Sequence, residues 1–588
     1  MDNRNTVFAI ALSIAILIGW EFFFAPKDPP PSDQPAATAV ATPVTPGSSA
    51  DATLPMTPPG VTAPGTTPNA EAAPVATAAR VKIVTPFLLG SISLTGARFD
   101  DITLVGYRET IDPTSPPITL LAPASAAHPY YIEWGWITSD TGVALPTPTT
   151  EWTAASPDAQ LTDSTPLVLT WDNGQGLLFT RTIRADKKYL FTIDQTVANT
   201  GERAVTLYPY SLVARLDAHE SKGAGFGFEG PIGAFNNQSK EVKYADLKKK
   251  LSDAAESVGG WIGFSDKYWL SAVAFDPSIK IAGSYRYADA GGRDRFQTDL
   301  RADPIAVAPG ETKSIKGYVF AGAKELELLD DYSKDPGLQR FDLAIDFGWY
   351  YFLTKPFFLT LRWLHGLLGN FGLAIIAFST IVRLLMFPIA NKQFKTMNNM
   401  KRLQPEMKRL QEKHANDRTK LNQELMELYK REKANPLAGC LPILIQIPVF
   451  YALYKVLSVT IEMRHAPFYG WIHDLSAPDP TSVLNLFGLL PYHIPTFLAF
   501  ASIGAWPLIM GVTMFLQQKL SPQPADPMQA RIMMLMPIII TFVLAPYAAG
   551  LVIYWAWSNT FGILQQWVLL KKTEAADAAK IDQSKSIT

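Results

Sequence analysis

The sequence has a single cysteine, Cys440, and only seven histidines among its 588 residues. A disulfide within the chain is therefore excluded, and the scattered histidines lack the spacing of a zinc site. The chain also lacks a glycine-rich phosphate loop, a GxSxG motif and an HExxH motif. Its formal net charge of −1 gives no overall attraction to nucleic acid. We therefore predict a protein that is not an enzyme, with no catalytic residue, no cofactor, no metal and no specific nucleic-acid site.

Six long apolar runs are present instead, and the only carboxylate in any of them is Glu21. The runs are 7–24, 371–388, 439–460, 496–518, 532–548 and 551–570. Such lengths are close to the ~20 residues that cross a bilayer as a helix. We therefore predict an α-helical polytopic membrane protein with six spans. A signal peptide is the alternative for the first run, but Phe24-Ala25-Pro26 lacks the usual small-residue cleavage pattern, which favours an uncleaved anchor over residues 1–25.

The loops between the runs differ in charge. The segment 391–436 holds twelve Lys or Arg against six Asp or Glu, whereas Arg464 is the only Lys or Arg in 461–495. Basic loops stay in the cytoplasm, so the first segment is predicted to be cytoplasmic. Six spans then place both termini, including the tail 571–588, in the cytoplasm and residues 25–370 mainly outside.

The exported part divides into a linker and a folded domain. Residues 26–80 are mostly Pro, Ala, Thr, Gly and Ser, a composition that cannot bury a core and is typical of a disordered tether. Short alternating strands follow from Val81. The stretch 189–197 places Phe191 and Ile193 on one face and is bounded by turn residues. We predict an antiparallel β-sandwich over 81–330.

Two helical segments are predicted around the membrane part. Within 340–370, residues Phe358, Leu361, Leu364 and Leu368 share one face, which indicates an amphipathic helix in the outer interface; a packed helix of the sandwich domain is the alternative. Within 391–436, helical spacing of Met and Leu predicts a hairpin of two antiparallel helices. Such a hairpin is usually a solvated coiled coil, although its methionines also suit a surface that binds varied apolar partners.

Arg383 lies inside the apolar run 371–388 with no carboxylate in the four runs that follow. An arginine in hydrocarbon is unfavourable by about 2.5–3.5 kcal/mol, so it is expected to face a wet cavity that receives an acidic group. The alternative is that Arg383 snorkels to the nearby end of its run. Ser379 lies one turn earlier on the same face.

Several motifs occur in one order along the chain. They include Val382-Arg383-Leu-Leu-Met-Phe-Pro388, Asn435-Pro436-Leu-Ala-Gly-Cys440, Trp471-Ile-His-Asp-Leu-Ser476, Gly511-Val-Thr-Met-Phe515 and Gly550-Leu-Val-Ile-Tyr554. With these motifs the chain resembles the bacterial YidC membrane protein insertases over essentially its whole length. The long exported domain resembles the Gram-negative form, which implies the inner membrane and a periplasmic sandwich.

The resemblance implies a five-helix insertase core over 371–570, with a hydrophilic groove open to the cytoplasm and to lipid. The positions that match groove or substrate-contacting residues of the family are Arg383, Ser379, Gln518, Trp555, Phe450 and Tyr554. The implied partners are nascent inner-membrane proteins, the Sec translocon with its accessory subunits, membrane lipids and the ribosome. Because the tail 571–588 is short and mixed in sign, we expect the hairpin and the 519–531 loop to contribute more to ribosome binding than the tail.

Two other functions are compatible with these features. A transporter would use Arg383 to bind a small anion, and an envelope-assembly scaffold would use the sandwich to bind polysaccharide. The segment 481–495 is longer than the family pattern predicts, and the sequence does not indicate its role.

Overall fold

The structure is a computed structural model that describes residues 79–218, 227–348, 350–414, 417–432, 441–491, 494, 502–520 and 527–585. The predicted anchor and nearly all of the predicted linker lie outside the described residues, as do residues 521–526 of the 519–531 loop.

Two β-sheets form the N-terminal domain. The first sheet contains β1 (Arg80–Val84), β2 (Leu88–Ser93), β3 (Arg98–Arg108), β4 (Pro117–Leu121), β5 (Tyr130–Thr138), β7 (Gln160–Leu161), β11 (Val205–Leu216), β14 (Ser252–Val258), β17 (Lys280–Asp289), β18 (Asp294–Ala302) and β19 (Ile305–Val307). The second contains β6 (Thr153–Ala154), β8 (Leu167–Asp172), β9 (Leu177–Ala185), β10 (Leu190–Asn199), β12 (Gly230–Phe235), β13 (Gln238–Glu241), β15 (Trp261–Ser265), β16 (Trp269–Phe275) and β20 (Thr312–Ala323).

The two sheets pack face to face, as the sequence predicts. Phe99 of β3 meets Phe191 of β10 edge-on, with ring centroids 5.4 Å apart. Trp134 of β5 meets Phe275 of β16 in the same way at 5.2 Å. In β10 the predicted inward residues are fully buried, including Phe191 and Ile193. The predicted β-sandwich is therefore confirmed, and its neighbouring strands are antiparallel except at one edge, where the short β7 runs parallel to β1.

Ten helices accompany and follow the sheets within the described residues. They are α1 (Tyr244–Lys250), α2 (Leu326–Lys334), α3 (Tyr351–Leu368), α4 (Phe371–Leu385), α5 (Phe387–Lys413), α6 (Arg418–Arg431), α7 (Leu441–Val459), α8 (Ala505–Leu520), α9 (Pro527–Leu544) and α10 (Ala549–Lys585). Short 3₁₀ turns occupy Phe341–Ala344, Ile461–Met463 and Val483–Gly488. Among the helices of the described ranges, none is both long enough and apolar enough to pass through a membrane.

The amphipathic segment forms α3. Of the four residues predicted to share one face, Phe358, Leu361 and Leu364 are buried within the protein, whereas Leu368 is 43% exposed at the end of the helix, before Gly369. Lys355 Nζ lies 2.8 Å from a carboxylate oxygen of Asp330, on α2. The apolar side of α3 packs on α4 and α7. The helix therefore connects the sandwich side of the molecule to the helical bundle.

The predicted run 371–388 is divided between two helices. The Asn370 side chain caps α4 by accepting a hydrogen bond from Leu373 N at 3.1 Å. The helix ends at Leu385, and Pro388 stands in the first turn of α5. Proline is well suited to that position because its missing N–H would have no partner there.

Candidate functional site

Helix α10 packs against three other helices of the bundle, α4, α7 and α8. Its start is fixed by a backbone hydrogen bond from Ala549 N to Ala477 O, at 2.7 Å. Tyr554, Ser558 and Gly562 then follow at intervals of four residues, which places them on one face of the helix. Residues of three other helices meet this face, and together they form the candidate site.

Arg383 reaches this face from α4. Its Nε donates a hydrogen bond to the Ser558 hydroxyl oxygen at 2.9 Å. A Cβ placed on Gly562 would lie 3.8 Å from Arg383 Cζ and 2.8 Å from Gln517 Nε2 of α8. Arg383 and Gln517 therefore approach α10 where glycine leaves room for them. The arginine is half-buried, and no carboxylate of the described residues forms an ion pair with it.

Ser379 lies one turn before Arg383 on α4 and is buried, with 1% of its surface exposed. Within the described part of the chain its hydroxyl has no hydrogen-bond partner. A buried hydroxyl without a partner is unfavourable, so an acceptor or donor from outside the protein would be stabilised at this position.

Aromatic side chains lie next to the polar face. The ring of Phe450, on α7, meets the ring of Trp555 edge-on at 4.7 Å. One turn earlier on α7, Gln446 Nε2 donates a hydrogen bond to the Tyr554 hydroxyl at 2.7 Å. Phe450 and Trp555 are half-buried, whereas Tyr554 is 2% exposed. The phenol of Tyr554 therefore holds α7 against α10, and the two half-buried rings offer an apolar surface beside it.

Gln518 lies apart from this arrangement. Its Nε2 donates a hydrogen bond to the backbone oxygen of Met533, on α9. The neighbouring Gln517 is the glutamine that approaches Gly562, the glycine that Arg383 also approaches. Of the six positions predicted from the sequence, the structure thus groups Arg383, Tyr554, Trp555 and Phe450 around α10, buries Ser379 on the Arg383 helix, and turns Gln518 toward α9.

Lys455 was not identified from the sequence, although it stands inside the apolar run 439–460. The side chain is 5% exposed and forms an ion pair with Asp346, which lies before α3. Asp346 also accepts hydrogen bonds from Phe228 N and Gly348 N, each at 2.9 Å. A lysine in an apolar run was the signal that could have revealed this buried pair, because such a charge needs a partner.

The groups around α10 are a guanidinium, hydroxyls and amides, all of which can donate hydrogen bonds. Such donors suit the binding of a carboxylate or of the carbonyl groups of a peptide chain. In the part of the chain that the structure covers, no group of His, Cys, Asp and Glu could hold a metal ion.

Comparison with known proteins covers nearly all of the chain. The family model described as 60Kd inner membrane protein matches residues 363–576, and the YidC periplasmic domain model matches residues 80–360. The membrane protein insertase YidC of Methylobacterium radiotolerans is 45% identical, with 97% of this chain and 95% of that protein covered. The insertase YidC of Rhizobium meliloti is 46% identical, with 97% and 96% covered. A solved active YidC insertase has 19% identity and a TM-score of 0.35, with 82% of this chain and 91% of that chain covered. On the family models and the two relatives, this chain belongs to the YidC family of membrane protein insertases.

Proposed function

We propose that this protein inserts proteins into the bacterial inner membrane and helps them fold, without making or breaking a covalent bond. It acts alone on small clients and with the Sec translocon on larger ones. The observation that carries the proposal is the half-buried Arg383, which has a hydroxyl and an amide nearby but no ion-pair partner among the described residues. A transient acidic segment of a client would supply the missing negative charge.

In this proposal the five apolar runs between 371 and 570, to which α4, α7, α8, α9 and α10 belong, form a membrane core that follows a separate N-terminal anchor span. The exposed side chains of α9 support it, because large apolar residues face outward on several sides, including Leu535 at 53%, Ile538 at 55% and Val543 at 56% exposure. The charges of the loops support a cytoplasmic location for both termini and a periplasmic location for the sandwich. Helix α3 lies in the outer interface, with Phe352 and Trp363 exposed at 71% and 61%.

The α10 face would form the wall of a groove that is open to the cytoplasm and to lipid. The half-buried Arg383 provides the polar side, and Phe450 and Trp555 contact the apolar segment of the client, while Ser379 and Tyr554 are buried within this wall. Hydrated donors lower the free energy of moving the polar residues next to the client's apolar segment partway across the membrane, since each polar group keeps a hydrogen-bond partner. The apolar segment then leaves sideways into lipid, where it is more stable than in water.

The hairpin of α5 and α6 would capture clients before insertion, and with the 519–531 loop it would contact the ribosome. The two helices are joined by Arg431 and Glu406, with N and O atoms 3.1 Å apart, and by Tyr429, whose hydroxyl lies 3.9 Å from the Met407 sulfur. Met426 is 54% exposed on the hairpin. A flexible thioether at the surface can contact apolar segments of many shapes.

Photocrosslinking during translation tests this proposal. A photoreactive residue replaces Phe450 in one variant and Ile538, on the outward side of α9, in another. A stalled client with one apolar segment should crosslink from position 450 while that segment enters. At longer chain lengths it should crosslink from the lipid-facing position 538, or from neither position. Crosslinking only from position 538 at every chain length would refute a groove lined by α7 and α10.

A further inference from the structure

A group of large apolar side chains is exposed in the segment 482–491, which we call the apolar loop. The loop contains no charged residue. The exposed fractions are 38% for Val483, 51% for Leu486, 44% for Phe487, 82% for Leu489 and 42% for Leu490. Clustered apolar exposure of this kind marks a surface that contacts a protein or a membrane. The groove mechanism does not use this segment.

The backbone of the apolar loop is held in a turn by hydrogen bonds within the loop. Phe487 N donates to Ser482 O at 2.7 Å, and Leu490 N donates to Asn485 O at 3.1 Å. The Asn485 side chain also accepts from Gly488 N at 3.0 Å. These bonds hold Leu486 and Phe487 at φ values of 51° and 59°, which bulky residues rarely adopt unless the surrounding structure imposes them. The turn therefore displays apolar side chains while satisfying several of its N–H groups internally.

The base of the apolar loop is fixed at the start of α8. Val483 N donates to Ile503 O at 2.9 Å. The Asp479 carboxylate accepts hydrogen bonds from Trp506 N at 2.9 Å and from the Trp471 indole at 3.1 Å. The start of α10 is bonded to the preceding segment through Ala477 O. The loop thus projects from the end of the bundle at which α8 and α10 begin, which is the outer end in the proposed orientation.

We propose that the apolar loop enters the outer leaflet of the inner membrane and anchors this end of the bundle there. Internal hydrogen bonds are what a backbone needs in hydrocarbon, where water cannot satisfy its polar groups. A protein partner would be expected to meet a polar rim, whereas residues 482–491 offer no charge to pair. The inference rests on the proposed membrane location and orientation, and it adds a lipid contact that the groove does not require.

Fluorescence quenching in vesicles tests the loop. The full-length Cys440→Ala variant is given Phe487→Cys, labelled with an environment-sensitive dye and reconstituted in phosphatidylethanolamine and phosphatidylglycerol. Ser164→Cys, at an exposed turn of the sandwich, is the control for water, and Ile538→Cys is the control for lipid. We expect a blue-shifted dye at position 487 that loses most of its emission to lipids spin-labelled near the headgroup, and little to iodide. Leu489→Glu should reverse this preference, because it places a charge at the most exposed position of the loop.

The control at position 538 distinguishes a failure of the lipid contact of the loop from a failure of the proposed membrane location. Lipid quenching at 538 with iodide quenching at 487 would overturn the lipid contact, and would leave the loop facing water or another protein. Iodide quenching at both positions would overturn the membrane location itself. Lipid quenching at 487 that is unchanged by Leu489→Glu would also overturn the proposal, because the dye rather than the loop would then be causing insertion.

Discussion

Arg383→Ala should impair the insertion of clients with an acidic translocated tail more than that of clients with a neutral tail. The substitution removes the positive charge and also the 2.9 Å hydrogen bond to Ser558. Ser558→Ala is the matched control, since it removes the same hydrogen bond and keeps the charge. Arg383→Lys is the second control, because it keeps the charge but loses the planar guanidinium.

The expected magnitude follows from where Arg383 lies. Two unit charges about 4 Å apart attract by about 4 kcal/mol at an effective dielectric constant of about 20, whereas fully exposed pairs contribute about 0.2–1 kcal/mol. Because the arginine is half-buried in a groove that we propose to be wet, the effect should lie between these limits. A loss of about 1.4 kcal/mol would slow insertion of an acidic tail about tenfold.

The assay compares two clients that are identical except for acidic or neutral residues in the translocated tail, with protease protection of that tail as the measure. The wild-type protein defines a ratio between the insertion of the acidic-tail client and that of the neutral-tail client. Arg383→Lys and Ser558→Ala should keep most of this ratio. Equal impairment of both clients by Arg383→Ala would refute charge attraction, even with a wet groove.

A thiol from Arg383→Cys in the Cys440→Ala protein should react with a polar reagent from the cytoplasmic side; a thiol that does not react would indicate a buried structural arginine.

Three further predictions concern other parts of the chain. Deleting most of 81–320 while keeping 340–370 should leave insertion working, and a truncated protein that is stable in the membrane but inactive would contradict this. Deleting 396–432 should reduce client capture without unfolding the core, whereas unchanged insertion of every client would make the hairpin a passive connection. Burial raises the pKa of Glu462 from 4.5 to about 7. The folded protein therefore binds a proton that the unfolded chain releases, so thermal stability should fall as pH rises from 4.5 to 7, and Glu462→Gln should flatten that dependence. An unchanged pH profile in Glu462→Gln would exclude this carboxyl group as its source.

The sandwich could be predicted from sequence because local periodicity decides which residues face its core. In β10, alternate residues such as Phe191 and Ile193 are fully buried, and the alternation is visible in the sequence itself. The pairing of strands was not predictable in this way. The parallel contact of β1 with β7 joins residues far apart in the chain, and the two-residue β7 carries almost no pattern of its own.

The candidate site was predictable only within single helices. Helical spacing places Ser379 beside Arg383 and Tyr554 beside Ser558, whichever helices surround them. It cannot tell which of two adjacent glutamines faces the arginine, because successive residues point about 100° apart on a helix. In the structure Gln517 approaches Gly562, beside Arg383, while Gln518 bonds to α9, and the rotation of α8 that decides this comes from its packing on α9 and α10.

The Lys455–Asp346 pair shows how the bundle and the exported side depend on each other. Its partners are 109 residues apart in the chain, so no local pattern could pair them. Removing one member of a buried ion pair destabilises a protein by about 3–5 kcal/mol, because the other charge remains buried. Asp346 lies between the last strand of the sandwich and α3, so this contact of the bundle is made with the connecting segment and not with a strand. A sandwich can therefore be dispensable for insertion only if the deletion ends before Asp346, and a larger deletion would lose activity by destabilising α7.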